Sequence, residues 1–402
     1  MKNLLDPAGT VDLNSTRLLL SVILLHLIGP QAMMIQPAFV EGLVSQLGFT
    51  ASDSGYVAAA ENTGKAVQSL LMMVLITRVN WRYLYYGALS VLLVGNLVCF
   101  VIEGAQAFRV VRFFTGAATG TIVPLSYVIV GLTAKTERNF GFLMVSLMVY
   151  GAFVFFALPS VFSAVGFNGL IVIFAAFAIS GFPVVRNMPT AGEERKDTDE
   201  NAVTLSWGLR GMALAAMFTY FLATFGVWVF MSLIGKNAGL DDQTVGNAMM
   251  LTQFAGIAGA LIVIGLGKRV GRAIPLALAL IGSVGALYVL SGATTALGFT
   301  LGACLFNLLW NTTHPYLLSA QASFDRSGRQ VSYAVALQMM GIAAGPAVGA
   351  AIVESGTYAQ VIWLSMALMV VTFALIQPPV LREQSLVRRE RGPIPAPQGV
   401  TE

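Results

Sequence analysis

YLYYGALSVLLVGNLVCFVI, residues 83–102, runs for twenty positions without a charged side chain. At about 1.5 Å of helical rise per residue, such a run crosses a hydrocarbon core about 30 Å thick once. Runs of the same kind lie on either side: RLLLSVILLHLIGPQAMMI from Arg17, GLIVIFAAFAISGFPVV from Gly169 and QVIWLSMALMVVTFALI from Gln360. Of the 402 residues 56% are hydrophobic and only 10% charged, too few charges to solvate a globule of this size. The expectation is an all-α integral membrane protein. Counting the segments broken by Gly and polar residues, twelve spans fall near 17–45, 53–76, 83–102, 107–133, 140–164, 168–185, 207–234, 243–266, 273–292, 296–322, 330–354 and 359–379. The first has no small-residue cleavage site after it, so no removable signal peptide is expected. Cys99 and Cys304 both fall inside spans and read as small apolar fillers.

Basic residues sort between alternate loops. Arg78, Arg82, Lys135, Arg138, Arg186, Lys268, Arg269 and Arg272 lie on the side shared by both termini, whereas the opposite loops hold only Arg109 and Lys236. By the positive-inside rule both termini are expected in the cytoplasm, which requires an even number of spans. The pI near 9.1 then follows from topology, without a nucleic-acid partner.

The second half repeats the first at a constant offset. Gly48 matches Gly239, and 239 minus 48 is 191; the same 191 takes Gly55 to Gly246, Arg78 to Arg269, Pro124 to Pro315 and Arg138 to Arg329. A duplicated six-helix unit follows, with halves at 1–185 and 207–380, a polar linker at 186–206 and a tail at 381–402. Parallel six-helix repeats around a central cavity describe one large class of secondary transporters.

The chain here resembles the major facilitator superfamily across nearly its whole length. RFFTGAATGTIVP places Arg112, Gly116, Gly120 and Pro124 in that family's Arg-then-glycine motif, and GIAAGPAVG places Gly341, Gly345, Pro346 and Gly349 in its Gly-Pro packing motif. The family's acid-bearing gating loop is altered. TRVNWR keeps Arg78 but has Thr77 in the acid's place, and KRVGR keeps Arg269, Gly271 and Arg272 with Lys268 there. The fifth span lacks the glycine run usual in drug exporters of the family, which weakens export as a reading.

Ionisable residues inside a span mark functional sites by default. In AAAENTGKAV, Glu61 and Lys65 stand four apart on one face that Gln68 continues, while Val67, Leu71 and Val74 fall elsewhere. Counting rise from Asp53, Glu61 lies about 12 Å deep and Lys65 about 18 Å deep; Arg112, at about 8 Å, reaches Glu61 if their helices adjoin. Two readings stand. Either Glu61 and Lys65 neutralise each other structurally, or Glu61 takes up a proton while Lys65, with Arg112, attracts an anionic substrate. His26, about 13 Å from the cytoplasmic edge, is a second proton-relay candidate, or a neutral hydrogen-bonded His. Asn307, Trp310, Asn311 and His314 share a stripe, as do Tyr220, Thr224 and Trp228; each stripe is a substrate contact or interhelical packing.

The combined expectation is a secondary transporter of a small organic anion, an aromatic or amphipathic carboxylate, by proton-coupled alternating access, with sodium open as the coupling ion. The alternative is a proton-coupled multidrug efflux antiporter. No phosphate-binding loop, paired metal ligands or Gly-x-Ser-x-Gly motif occurs, so no ATP, cofactor, metal or enzymatic role is expected. Expected partners are the substrate, protons and the lipid bilayer of a bacterial inner membrane, with the chain acting as a monomer.

Overall fold

A computed structural model describes residues 11–191, 205–266, 271–324 and 329–390. Among these residues the secondary structure is fourteen helices: α1 (Thr16–Ile28), α2 (Gln31–Met34), α3 (Gln36–Leu47), α4 (Ala51–Leu75), α5 (Trp81–Val98), α6 (Ala105–Gly131), α7 (Thr136–Val185), α8 (Trp207–Trp228), α9 (Met231–Asn237), α10 (Asp242–Leu266), α11 (Ala273–Ser291), α12 (Ala296–Ser323), α13 (Arg329–Ser355) and α14 (Tyr358–Glu390). Seven of them are by themselves long and apolar enough to cross a membrane.

Local chemistry sets the boundaries. The first expected span is three pieces, because Gly29 and Pro30 interrupt it: Pro30 has no N–H for the ladder, and Ile35 leaves helical geometry at φ −107°, ψ 24°. Thr50 caps α4 by accepting from the Asp53 amide, and its hydroxyl donates to Asp53 Oδ2 at 2.8 Å. Gly48 ends α3 in the left-handed region at φ 69°.

Helix α7 consists of two antiparallel arms joined at a sharp corner. The rings of Tyr150 and Phe177 lie 5.9 Å apart, whereas 27 residues of straight helix would separate them by about 40 Å. The corner is Gly166, at φ 64° and ψ −169°, a region open in practice to glycine alone. A Cβ there meets nothing nearer than Gln46 Oε1 at 3.7 Å. Gly166→Ala is therefore expected to lower stability by about 1–3 kcal/mol through backbone strain alone, a loss that thermal unfolding of the detergent-purified protein will detect.

The duplication recurs in three dimensions. Helix α4 begins at Ala51 and α10 at Asp242, and 242 minus 51 is 191; α6 and α12, beginning at Ala105 and Ala296, give 191 again. Gly48 and Gly239 both take positive φ, 69° and 82°. Packing repeats as well: α4 lies between α6 and α13, and α10 between α12 and α7.

One helix runs past its expected end. Helix α14 passes through Pro378 and Pro379 to Glu390, well beyond 379. Contacts to the start of α11 hold it, with Gln377 Nε2 donating to Ala273 O at 3.3 Å and Arg272 Nη1 3.2 Å from Glu383 Oε1. Of the expected linker, residues 192–204 lie outside the described residues; its start folds back on α5, where Trp81 N donates to Thr190 O and Arg82 Nε to Met188 O.

Named contacts between residues 11–185 and the second half gather toward the end that carries Gly48 and Gly239. Gly55 abuts Phe230 and Ala350, Gly246 abuts Phe155 and Pro159, and Gln243 Nε2 donates to Phe156 O at 3.4 Å. A cavity of about 120 Å³ remains there, lined by Glu41, Ser45, Lys236 and Asp242 among others. The helices thus meet at the end away from the termini.

Candidate functional site

Helices α4 and α6 approach closely because three glycines face the contact. A Cβ on Gly64 would strike the Phe113 carbonyl, one on Gly116 the Glu61 carbonyl, and one on Gly120 the Lys65 carbonyl. This is the small-residue packing that lets helices associate in lipid. Val67, Leu71 and Val74, off the face that carries Glu61, Lys65 and Gln68, are exposed.

The close approach carries Arg112 onto Glu61. Arg112 Nη2 donates to Glu61 Oε1 at 2.7 Å and Nε to Oε2 at 3.2 Å, a two-pronged pair, while Nη1 reaches Asn96 Oδ1 at 3.4 Å. Both members are almost fully buried, at 3% and 1% exposure. The guanidinium also covers the Phe39 ring at 4.7 Å. Helical spacing would allow Glu61 and Lys65 to pair, but Lys65 Nζ turns to Met33 and the ion pair forms with Arg112 instead.

Lys65 is left without an anion among the described residues. Its Nζ lies 2.9 Å from the Met33 sulfur, the residue is buried, and no carboxylate stands within ion-pair distance. Unsatisfied amides lie nearby along the chain. Asn62 Nδ2 donates to Gln36 Oε1 and to Ile342 O, both at 3.3 Å, which leaves Asn62 Oδ1 and Gln36 Nε2 buried without partners; Gln31 Oε1 is a third such atom. His26, fully buried 5.0 Å from the Tyr127 ring, has neither nitrogen hydrogen-bonded. Sequence reading had passed over Gln31, Gln36, Asn62 and Asn96. The signal was present, since each is a polar side chain inside an apolar run.

The stripes on α8 and α12 meet each other. Trp310 lies 5.3 Å from Phe225 and 5.6 Å from Trp228, Tyr220 donates its hydroxyl to Trp310 O at 3.4 Å, and His314 stands edge-on to Phe221 at 5.0 Å. Thr224 donates to Tyr220 O in its own helix. Asn307 Nδ2 donates to Thr252 O on α10 at 2.6 Å, and Asn311 Nδ2 donates within its own helix to Asn307 O at 2.9 Å. His314 Nε2 has no partner. Helix α13 stands between this cluster and the α4–α6 pair, receiving Asn62 at Ile342 O and pressing Gly341 and Gly345 onto α8.

Of the loop residues, Arg78 is exposed, Arg269 lies outside the described residues, and Arg272 binds Glu383 and Ser319 Oγ. The two basic residues at the far end are both paired, Arg109 with Asp53 at 2.6 Å and Lys236 with Asp242. Cys99 and Cys304 are free thiols, and the described residues hold no cluster of metal ligands.

With this geometry in view, comparison with known proteins adds the following. The sequence model of the Major Facilitator Superfamily matches residues 22–319. No curated protein matches the chain by sequence. Among solved structures it is similar to the D-xylose-proton symporter, with TM-score 0.73 and 13% identity over 90% of this chain and 97% of that one. The POT family transporter PepTSo gives 0.73 and 9% over 92% and 99%. A variant of the nucleoside transporter NupG gives 0.72 and 12% over 90% and 99%. At these identities the likeness is one of fold.

Proposed function

The chain belongs to the major facilitator superfamily and is a membrane transporter, not an enzyme; from that premise we propose that it carries a small organic anion together with a proton by alternating access. One observation carries the reading: Lys65 is buried with no anionic partner among the described residues, while Glu61 is committed to Arg112. Three buried charges, two positive and one negative, leave one positive charge for a ligand to compensate, and uncompensated charge inside a membrane is costly.

The coupling follows from the same count. A proton taken up by Glu61 releases Arg112 and leaves two cations facing the site. A substrate carboxylate then compensates what the proton uncovered, and each ligand strengthens binding of the other. The buried acceptors on Asn62 and Gln31 and the donor on Gln36 provide for the hydroxyl, amine or carbonyl groups of the solute. His26 offers the proton a second buried station. A proton symporter among the structural neighbours supports the compatibility of this coupling with the fold. Both termini face the cytoplasm on the charge asymmetry of the loops, the chain works as a monomer, and contact at the far end corresponds to the inward-facing state of the cycle.

The test is internal pH in proteoliposomes of the purified protein, challenged from outside with organic acids and with lipophilic cations. An acid is expected to acidify wild-type vesicles, and Glu61→Gln to abolish that response. Lys65→Ala is expected to weaken apparent affinity for the acid about tenfold or more, as loss of a charged hydrogen bond does. If a cation instead drives proton counterflow that survives Lys65→Ala, the anion reading falls and multidrug antiport replaces it.

A further inference from the structure

At the termini-bearing end, the approach to α1, the first turn of α5 and the end of α7 line an open cavity of about 430 Å³ that the transport site does not use. Asp12, Ser15, Arg17, Arg82, Arg186 and Asn187 supply its polar lining. Three guanidiniums face one carboxylate. Arg82 is fixed by its Nε–H, which donates to Met188 O at 2.7 Å. The guanidiniums of Arg17 and Arg186 have no hydrogen-bond or ion-pair partner among the described residues. Asp12 is turned into its own loop, Oδ1 accepting from Asn14 N at 2.9 Å, and Ser15 and Asn187 are occupied by Leu18 N and Ser21 Oγ.

Directly inward of each arginine, one helical turn along its own helix, stands an apolar or aromatic side chain on the membrane side. Leu20 follows Arg17 by three residues and is 61% exposed. Tyr86 follows Arg82 by four, and Phe182 precedes Arg186 by four; their rings stack at 6.2 Å. Tyr83, beside Arg82, is also exposed. A basic cavity roofing a strip of apolar surface has the shape of an amphiphile with an anionic head. Guanidinium forks match phosphate oxygens in geometry as well as charge.

We propose that this cavity seats the phosphate of an anionic phospholipid, with its acyl chains along Leu20, Tyr86 and Phe182. Occupancy ties together α1, α5 and α7, three helices of the first half. Free phosphate shares the head-group chemistry but gains nothing from the apolar strip, so the two sources separate experimentally.

The full-length protein is delipidated in neutral detergent and examined by native mass spectrometry and thermal unfolding with phosphatidylglycerol, phosphatidylcholine or inorganic phosphate. Wild type is expected to retain phosphatidylglycerol about tenfold better than phosphatidylcholine, given the attraction of each basic residue near an anionic membrane surface. Phosphatidylglycerol should also raise its melting temperature. The double variant Arg17→Gln/Arg186→Gln should lose the preference, whereas Arg78→Gln/Arg382→Gln, which removes equal charge from the same end, should keep it. Equal retention of the two lipids by wild type overturns the proposal without any variant. So does an unchanged preference in Arg17→Gln/Arg186→Gln, and a melting shift reproduced by inorganic phosphate alone reassigns the cavity to a soluble anion.

Discussion

Arg112→Ala is expected to lower the stability of the folded protein by about 3–5 kcal/mol, because it leaves the Glu61 carboxylate buried without its partner. The pair has two hydrogen bonds, at 2.7 and 3.2 Å, and almost no surface exposed to water. Against a typical total of about 5–15 kcal/mol the loss is large. Melting followed through the five tryptophans should fall by several degrees. Glu61→Gln/Arg112→Gln removes both charges together, and it should recover at least half of that loss. Transport by this double variant then separates two roles for the pair. Proton-coupled uptake should stay absent although stability returns, since no group remains at that point to exchange a proton for an anion. Recovery of both stability and uptake would reduce Glu61 and Arg112 to a structural strut, and an unchanged melting temperature in Arg112→Ala would deny the buried pair altogether.

Which cation holds Glu61 illustrates what the sequence could and could not convey. Composition and run length make the membrane helices legible, and the 191-residue offset makes the duplication legible, because both are properties of the chain read in one dimension. The depth argument also brings Arg112 to Glu61. Helical spacing alone, however, favours Lys65 as partner. The outcome depends on α6 packing close enough for a guanidinium to engage both carboxylate oxygens, and that is a tertiary fact. Neutral amides escaped notice for a different reason. Gln31, Gln36 and Asn62 alter composition very little, and their importance appears only when burial leaves their atoms without partners. The end of α14 shows another limit: the span expected near 359–379 follows the apolar run, whereas the helix continues through Pro378 and Pro379, with Gln377 and Glu383 in contact with α11 and its approach.

The glycines of the α4–α6 seam yield an opposition of sign from one kind of substitution. Gly87→Ala, within α5 where a Cβ meets nothing within 4 Å, should stabilise the protein by about 0.5–1 kcal/mol, as alanine does when it replaces a helical glycine without collision. Gly116→Ala adds the same methyl group but drives it into the backbone carbonyl of Glu61, which cannot move aside as a flexible side chain would. The helices must separate, and the expected cost is about 3 kcal/mol or more, at the upper end for overpacking. Gly64→Ala, directed from α4 at the Phe113 carbonyl, should behave alike because it opens the same seam from the other side. Separation has a second consequence, since it stretches the Arg112–Glu61 pair whose register the seam sets. Gly116→Ala combined with Glu61→Gln/Arg112→Gln should therefore cost less than the two changes added together, as coupled neighbours do. Melting temperatures of the four proteins measure that coupling. Strict additivity would mean that the seam and the ion pair are independent features, and that the glycines serve helix packing alone.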